Sequence, residues 1–448
     1  MRRSTALLGL IAALFLVLLS SVARAQGPNY VGSRTCGQCH ASKYAAFQET
    51  WHPRMLREAS DEAILGDFTS RDPDLTFSRH EVRYVIGGQY KQRYLTEIEG
   101  ELYVLPAEWN VVAGEWMPYH PADWRARPYR RLCAGCHTTG YDPWTGEWSE
   151  MGVWCEACHG PGGDHVASTG NRTMIVNPAR LDFESQAEVC GQCHSRGHDP
   201  SGTYPFPVGF RPGGPTRLAE AFIFTTDPGD FWPDGSAKKH HMQYLDWQKG
   251  EHARSVNCIF CHVSHSKGET DHQTRMVGNH RCIICHESKR DQGAHIPFMK
   301  DVPVFCTDCH MPAISQLVVT DFQIRSHTFW PPDPRKTMQY GGQEVMPTAC
   351  YICHTDKPAE WAAAVLGLPL SASAVQAATQ VETPAPTALA RAPAETPVPA
   401  RVPAETEEAS GANPRRPALV ASSAVVLGLL GLGAVFWTRR RGRRAEGR

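Results

Sequence analysis

The sixteen cysteines constrain this chain more than any other feature, because none of them stands alone. They form eight Cys-x-x-Cys pairs, and a histidine follows every pair. In chain order, as sites 1 to 8, these are Cys36/Cys39/His40, Cys133/Cys136/His137, Cys155/Cys158/His159, Cys190/Cys193/His194, Cys258/Cys261/His262, Cys282/Cys285/His286, Cys306/Cys309/His310 and Cys350/Cys353/His354. Two cysteines three apart lie about one helical turn from each other, suited to forming thioethers with the two vinyl groups of one porphyrin. The histidine next in line then lies under the iron as its proximal ligand. Zinc ribbons also use paired cysteines, but they need no histidine after every pair. Disulfides need none either. The motif therefore predicts eight covalently bound haem c groups.

Eight of the 21 histidines are proximal in this reading, which leaves thirteen for at most eight sixth-ligand positions. Imidazole on both faces suits an iron that passes electrons. Methionine as sixth ligand would raise the potential, and eleven are present. The sites run from Cys36 to His354, about 40 residues each, too few to wrap each group separately, so close contact between haems is expected.

The ends read differently. Residues 1–25 carry Arg2 and Arg3, an apolar run and Ala23-Arg24-Ala25, the layout of a signal peptide. Residues 418–438 are apolar over a length that crosses a bilayer, and the arginines of the basic tail, residues 439–448, follow at once. Positive charge collects on the cytoplasmic side, so the head, residues 26–366, is expected outside it, in a periplasm or at a cell surface. Residues 367–417, rich in Ala and Pro, read as a disordered tether. A net charge of -1 offers no field for nucleic acid.

The head reads as mainly α, with short helices and long loops packed against porphyrin. A small β hairpin or sheet is expected from Val82–Ile86, Tyr94–Ile98 and Leu102–Leu105, turning at Glu99-Gly100.

Several segments carry a family likeness: YVGSRTCGQCH with FQETWHPRM, LCAGCHTTGYD, GVWCEACHGPGGDH, CGQCHSRGHDPSGTYPFPVGF, HHMQYLDWQKGEHARSVNCIFCHVSH, HIPFMKDVPVFCTDCHMP with IRSHTF, and TACYICHTDKPAEWAA. Together they resemble multihaem cytochromes of the cytochrome c-554 type, in the superfamily that includes pentahaem nitrite reductase and octahaem hydroxylamine oxidoreductase. The resemblance implies stacked haem pairs, with His52, His165, His241, His252, His295 and His327 as distal ligands. His120, His240, His265, His272 and His280 are further candidates, while His80 and His198 read as surface or structural residues.

The main functional expectation is electron relay between a membrane donor (a quinol-linked complex or another cytochrome) and an extracytoplasmic acceptor. The alternative is an oxidoreductase of small nitrogen or sulfur species using one open haem. The sequence departs from pentahaem nitrite reductases in having no CxxCK site. Tyr84, Tyr90, Tyr94, Tyr129 and Tyr244 are available for the tyrosine cross-link of hydroxylamine oxidoreductases, but nothing singles one out. Arg130, Arg131, His240 and His241 read as partners of anionic haem propionates. A pyridine haemochrome assay on purified protein should return eight haems per chain, and intact mass should show eight porphyrin additions.

Overall fold

The computed structural model describes residues 29–318 and 321–370. The expected signal peptide, most of the tether, the apolar run at 418–438 and the basic tail lie outside the described residues. Among those described, no helix is long and apolar enough to cross a membrane.

Each motif forms the short turn its spacing predicts. The histidine N–H bonds back to the carbonyl of the first cysteine at sites 1, 2, 4, 5, 6 and 8 (His40 to Cys36 2.9 Å, His262 to Cys258 3.0 Å). These turns belong to helices such as Ser33–Cys39, Ala134–His137, Cys155–His159 and Cys306–His310. None of the sixteen cysteines is in a disulfide.

The β region is larger than the sequence suggests. Five antiparallel strands lie in sequential order: β1 Arg57–Glu58, β2 Tyr84–Gly87, β3 Lys91–Ile98, β4 Glu101–Asn110 and β5 Glu115–Pro118. The turn between β3 and β4 falls at Glu99-Gly100, where both residues have positive φ (53° and 79°), as two-residue hairpin turns require. One face buries Val85, Tyr94, Leu105, Ala107 and Trp116 against Phe77 and Val82. The other buries Ile86, Leu95, Leu102 and Val104 against Tyr129 and Ala134. Tyr129 and Ala134 belong to the two helical turns that carry site 2, so the sheet is the platform for that site. Both faces are apolar, so the alternation signal that marks a half-exposed sheet is weak here.

A second hairpin, Ala313–Val318 with Asp321–Arg325, follows site 7 and was not foreseen. Its Arg325 guanidinium donates to the carbonyls of Thr307 (2.9 Å) and Met311 (3.1 Å) and pairs with Asp308 (3.1 Å), tying the hairpin to the site 7 helix. A third core, with Ala187, Leu218, Phe222, Met242, Leu245 and Trp247, lies beneath sites 4 and 5.

Glu156, inside the site 3 motif, is 2% exposed. Its carboxylate accepts from the N–H groups of Val31 (3.0 Å), Gly32 (2.8 Å) and Gly162 (2.7 Å), fastening the chain entering site 1 to site 3. Glu156→Ala would leave three N–H groups without their acceptor. Thermal unfolding of the haem-loaded protein should show a loss of at least about 3 kcal/mol, with Glu156→Gln in between.

Candidate haem-binding and redox sites

An imidazole nitrogen binds a first-row metal at about 2.0 Å, with its ring centre about 1.1 Å behind it. Two imidazoles on opposite sides of one metal therefore have centres about 6.3 Å apart. Six proximal histidines face a second imidazole at this spacing. His40 faces His165 at 6.4 Å, His159 faces His265 at 5.9 Å, and His262 faces His327 at 6.4 Å. His310 faces His295 at 6.3 Å, His194 faces His52 at 6.4 Å, and His286 faces His252 at 6.0 Å. The first four pairs are within 21° of parallel, while His52/His194 and His252/His286 cross at 71° and 62°.

These partners come from distant parts of the chain. His52 stands on the turn His52–Met55, whose carbonyl accepts from Val153 (3.0 Å). Gly152 beside it has φ 80°, and a Cβ there would meet the Pro53 carbonyl, so only glycine allows this approach. His327 is held by Asp246, whose carboxylate accepts from the His327 N–H (3.0 Å) and the Ser326 hydroxyl (2.8 Å). Burial pushes His52, His137 and His327 down to about 4. Neutral imidazole is the form that ligates metal. Many ring Nδ1–H groups donate to backbone carbonyls: His159 to Val176 (2.7 Å), His165 to Asn171 (2.9 Å), His262 to His272 (2.9 Å) and His327 to Arg325 (2.9 Å). Such bonds fix ring orientation and raise ligand basicity.

The structure thus brings five of the six histidines favoured by the resemblance opposite proximal rings. His241 instead packs on His240, centres 4.5 Å apart, and faces no proximal ring at the metal spacing. The partner at site 3 is His265, one of the lesser candidates. His120 pairs with Asp123, His272 contacts Tyr90, and His80, His198 and His280 are exposed. Arg130 is engaged by the Gly100 and Gly146 carbonyls and by Glu101.

Two sites differ. Among the described residues, neither His354, which packs on Trp361 at 4.8 Å, nor His137 has a histidine ring at the metal spacing, although His241 lies close enough to His137 for their charges to interact. Around His137 gather basic groups that the sequence did not single out. Lys91 and Arg93 project from the same face of β3, one residue pair apart. Strand register sets Arg93 opposite Glu108, bonded at 2.6 Å, with Lys91 3.8 Å from the same carboxylate. Arg93 also stacks on Tyr119 at 3.8 Å. Burial and the Arg93 charge push Lys91 down to about 7, and burial holds His240 and His241 well below the usual histidine range.

A cavity of about 3270 Å³ runs between sites 2 and 7 and is lined by their cysteines and histidines. A single ligand pocket is typically about 300–1,000 Å³, so several large groups fit. The thiols also show which sites adjoin. Cys36 lies beside Cys155, Cys136 beside Cys193, Cys190 beside Cys258, and Cys282 beside Cys306, each pair close enough to perturb the other's thiol. Cys158 lies within electrostatic reach of Cys193, Cys261 of Cys285, and Cys309 of Cys350 and Cys353. The sites therefore form an unbroken series, 1–3–4–5–6–7–8, with site 2 branching from site 4.

Comparisons with known proteins bear on the class of the fold. Residues 121–160, which contain sites 2 and 3, match the family model "Cytochrome c554 and c-prime". The crystal structure of the outer cell wall cytochrome OcwA superposes with a TM-score of 0.62 at 24% identity, over 74% of this chain and 85% of that one. An undecahaem cytochrome from the S-layer of Carboxydothermus ferrireducens matches with a TM-score of 0.44 at 19% identity, over 73% of this chain and 58% of that one. The octahaem sulfite reductase MccA of Wolinella succinogenes matches with a TM-score of 0.39 at 15% identity, over 67% and 58%. The fold and the repeated motif define this chain as a multihaem c-type cytochrome.

The pairings are open to a direct check. His327→Ala should convert one low-spin ferric signal in electron paramagnetic resonance to a high-spin one. His241→Ala should leave the number of low-spin haems unchanged.

Proposed function

We propose that this chain binds eight haem c groups and relays electrons outside the cytoplasm between a membrane donor and an extracytoplasmic acceptor. The observation that carries the reading is that successive motifs from site 1 to site 8 are neighbours, each within electrostatic reach of the next. The iron of each group, when bound, supplies one-electron exchange. The chain contributes thioether anchors, paired imidazoles at six sites, and spacing close enough for neighbouring groups to touch. Paired imidazoles hold an iron in the same coordination in both oxidation states, so little has to move as an electron passes. The features at 1–25 and 418–448 support a head that is exported and tethered to the membrane, with a quinol-linked complex or another cytochrome as redox partner.

Rapid mixing with a donor too bulky to enter the cavity tests the relay. All sites should be reduced in one phase. Replacing Cys258 and Cys261 with alanine, which removes the link between sites 4 and 6, should split the reduction into two phases. Multiple independent phases in the unaltered protein would overturn the reading.

A second reading rests on site 2. In the order of neighbouring motifs it is a branch end, no imidazole stands at the metal spacing from His137, and Lys91, Arg93, His240 and His241 gather near it. Buried cations and neutral imidazoles can hold a small anionic nitrogen or sulfur species and pass it protons. The oxidised protein should then show high-spin ferric signal that shifts on adding cyanide or hydroxylamine, and Lys91→Ala should lower turnover by about 10²-fold. An entirely low-spin spectrum would remove this reading and leave the relay intact.

A further inference from the structure

The six facing imidazole pairs fall into two geometries. At sites 1, 3, 5 and 7 the ring planes lie within 21° of parallel, whereas at sites 4 and 6 they cross at 71° and 62°. At site 5 both rings are fixed through Nδ1 by carbonyls, His262 by that of His272 and His327 by that of Arg325 (2.9 Å each). At site 6 an aromatic ring packs on the distal imidazole. Phe329 lies 4.3 Å from His252, centre to centre, tilted by 45°. The same phenyl ring stands 6.0 Å from His327, edge to face, so it sits between the distal ligands of sites 5 and 6.

The backbone goes out of its way to put it there. Phe329 has φ 56°, a left-handed conformation that a bulky side chain rarely adopts and that persists only where the surroundings impose it. The residues just before it are pinned: the Ser326 hydroxyl donates to Asp246 (2.8 Å) and meets the Thr328 hydroxyl at 3.2 Å. Gly250 precedes the turn Glu251–Arg254 that carries His252, and a Cβ there would clash with the Thr328 carbonyl. The two segments are thus brought together at the Phe329 and His252 rings.

We propose that Phe329 is the positioning residue of site 6, holding the His252 ring across the plane of His286, and that this crossing makes site 6 easier to reduce than parallel rings would. Each imidazole donates π density to the iron dπ orbital at right angles to its ring plane. Parallel rings load one orbital of that pair and split it, which stabilises the ferric hole. Crossed rings load both about equally, so the ferric state loses that stabilisation. Axial ligation is a main lever on a haem's potential, and here the lever is ring orientation. The crossing therefore favours an electron residing at site 6, between two neighbours with parallel rings. The proposal rests on the imidazole pairing that supports the relay and gives site 6 its own part in it.

Electron paramagnetic resonance of the oxidised, haem-loaded protein should show two strongly anisotropic low-spin signals with a large maximal g, from sites 4 and 6, beside rhombic signals from the parallel sites. In Phe329→Leu one of the two should give way to a rhombic signal, and a redox titration should find its midpoint lowered. Phe329→Tyr, which keeps the ring, should retain both features. Site 4, whose distal His52 lies beside Phe47 at 6.1 Å, is the unchanged reference. Six rhombic signals in the unaltered protein would overturn the proposal and leave the relay standing. A Leu variant in which either the signal or the midpoint is unmoved also overturns it. If that variant loses the site 6 haem, a crystal structure of the unaltered, loaded protein decides. Crossed His252 and His286 rings with Phe329 packed on His252 support the proposal; parallel rings, or Phe329 turned away, sink it.

Discussion

One backbone hydrogen bond recurs through this molecule, from the histidine N–H of a motif to the carbonyl of its first cysteine. It closes a single helical turn and sets both thiols and the imidazole toward one spot. A turn this short is not stable alone, because helix nucleation fixes several residues for one bond. What holds it is the second imidazole arriving from elsewhere: His52 reaches site 4, His165 site 1, His265 site 3 and His327 site 5. A metal held between these rings would cross-link segments up to about 140 residues apart, much as a disulfide would, and would brace the loop-rich head.

The same economy explains the thin protein core. Four modest apolar clusters hold the described residues together, and a cavity of about 3270 Å³ runs between the motifs. Bound porphyrin faces would supply the missing apolar surface, which would couple folding to haem attachment. Anchoring neighbouring motifs with touching thiols, as at Cys190 and Cys258, makes adjacency of the bound groups a consequence of chain packing.

The region most clearly built from protein contacts is the five-stranded sheet, and it supports site 2, one of the two sites without a facing imidazole at the metal spacing. Its register places Lys91 and Arg93 on a shared carboxylate, Glu108, and its second face seats Tyr129 and Ala134 beneath His137. A rigid sheet holds buried cations in place at the cost of their desolvation, which the ion pair with Glu108 offsets.

Much of this was legible in the residue order. The cysteine–histidine spacing identified the anchors and proximal ligands because the chemistry is local, confined to five consecutive residues. The hairpin turn at Glu99-Gly100 was readable for the same reason. The partners of the proximal rings were not, since any of thirteen histidines satisfies the chemistry and only folding chooses among them: His265 rather than His241 stands opposite a proximal ring. The sheet's full extent was hidden because both its faces are apolar, and the basic cluster at site 2 because strand register, a long-range property, aligns Lys91, Arg93 and Glu108. Sequence alone determined what the chain binds, through covalent spacing. Tertiary structure decided which imidazoles pair, which sites adjoin and which site is left without a partner, because those depend on distances between residues far apart in the chain.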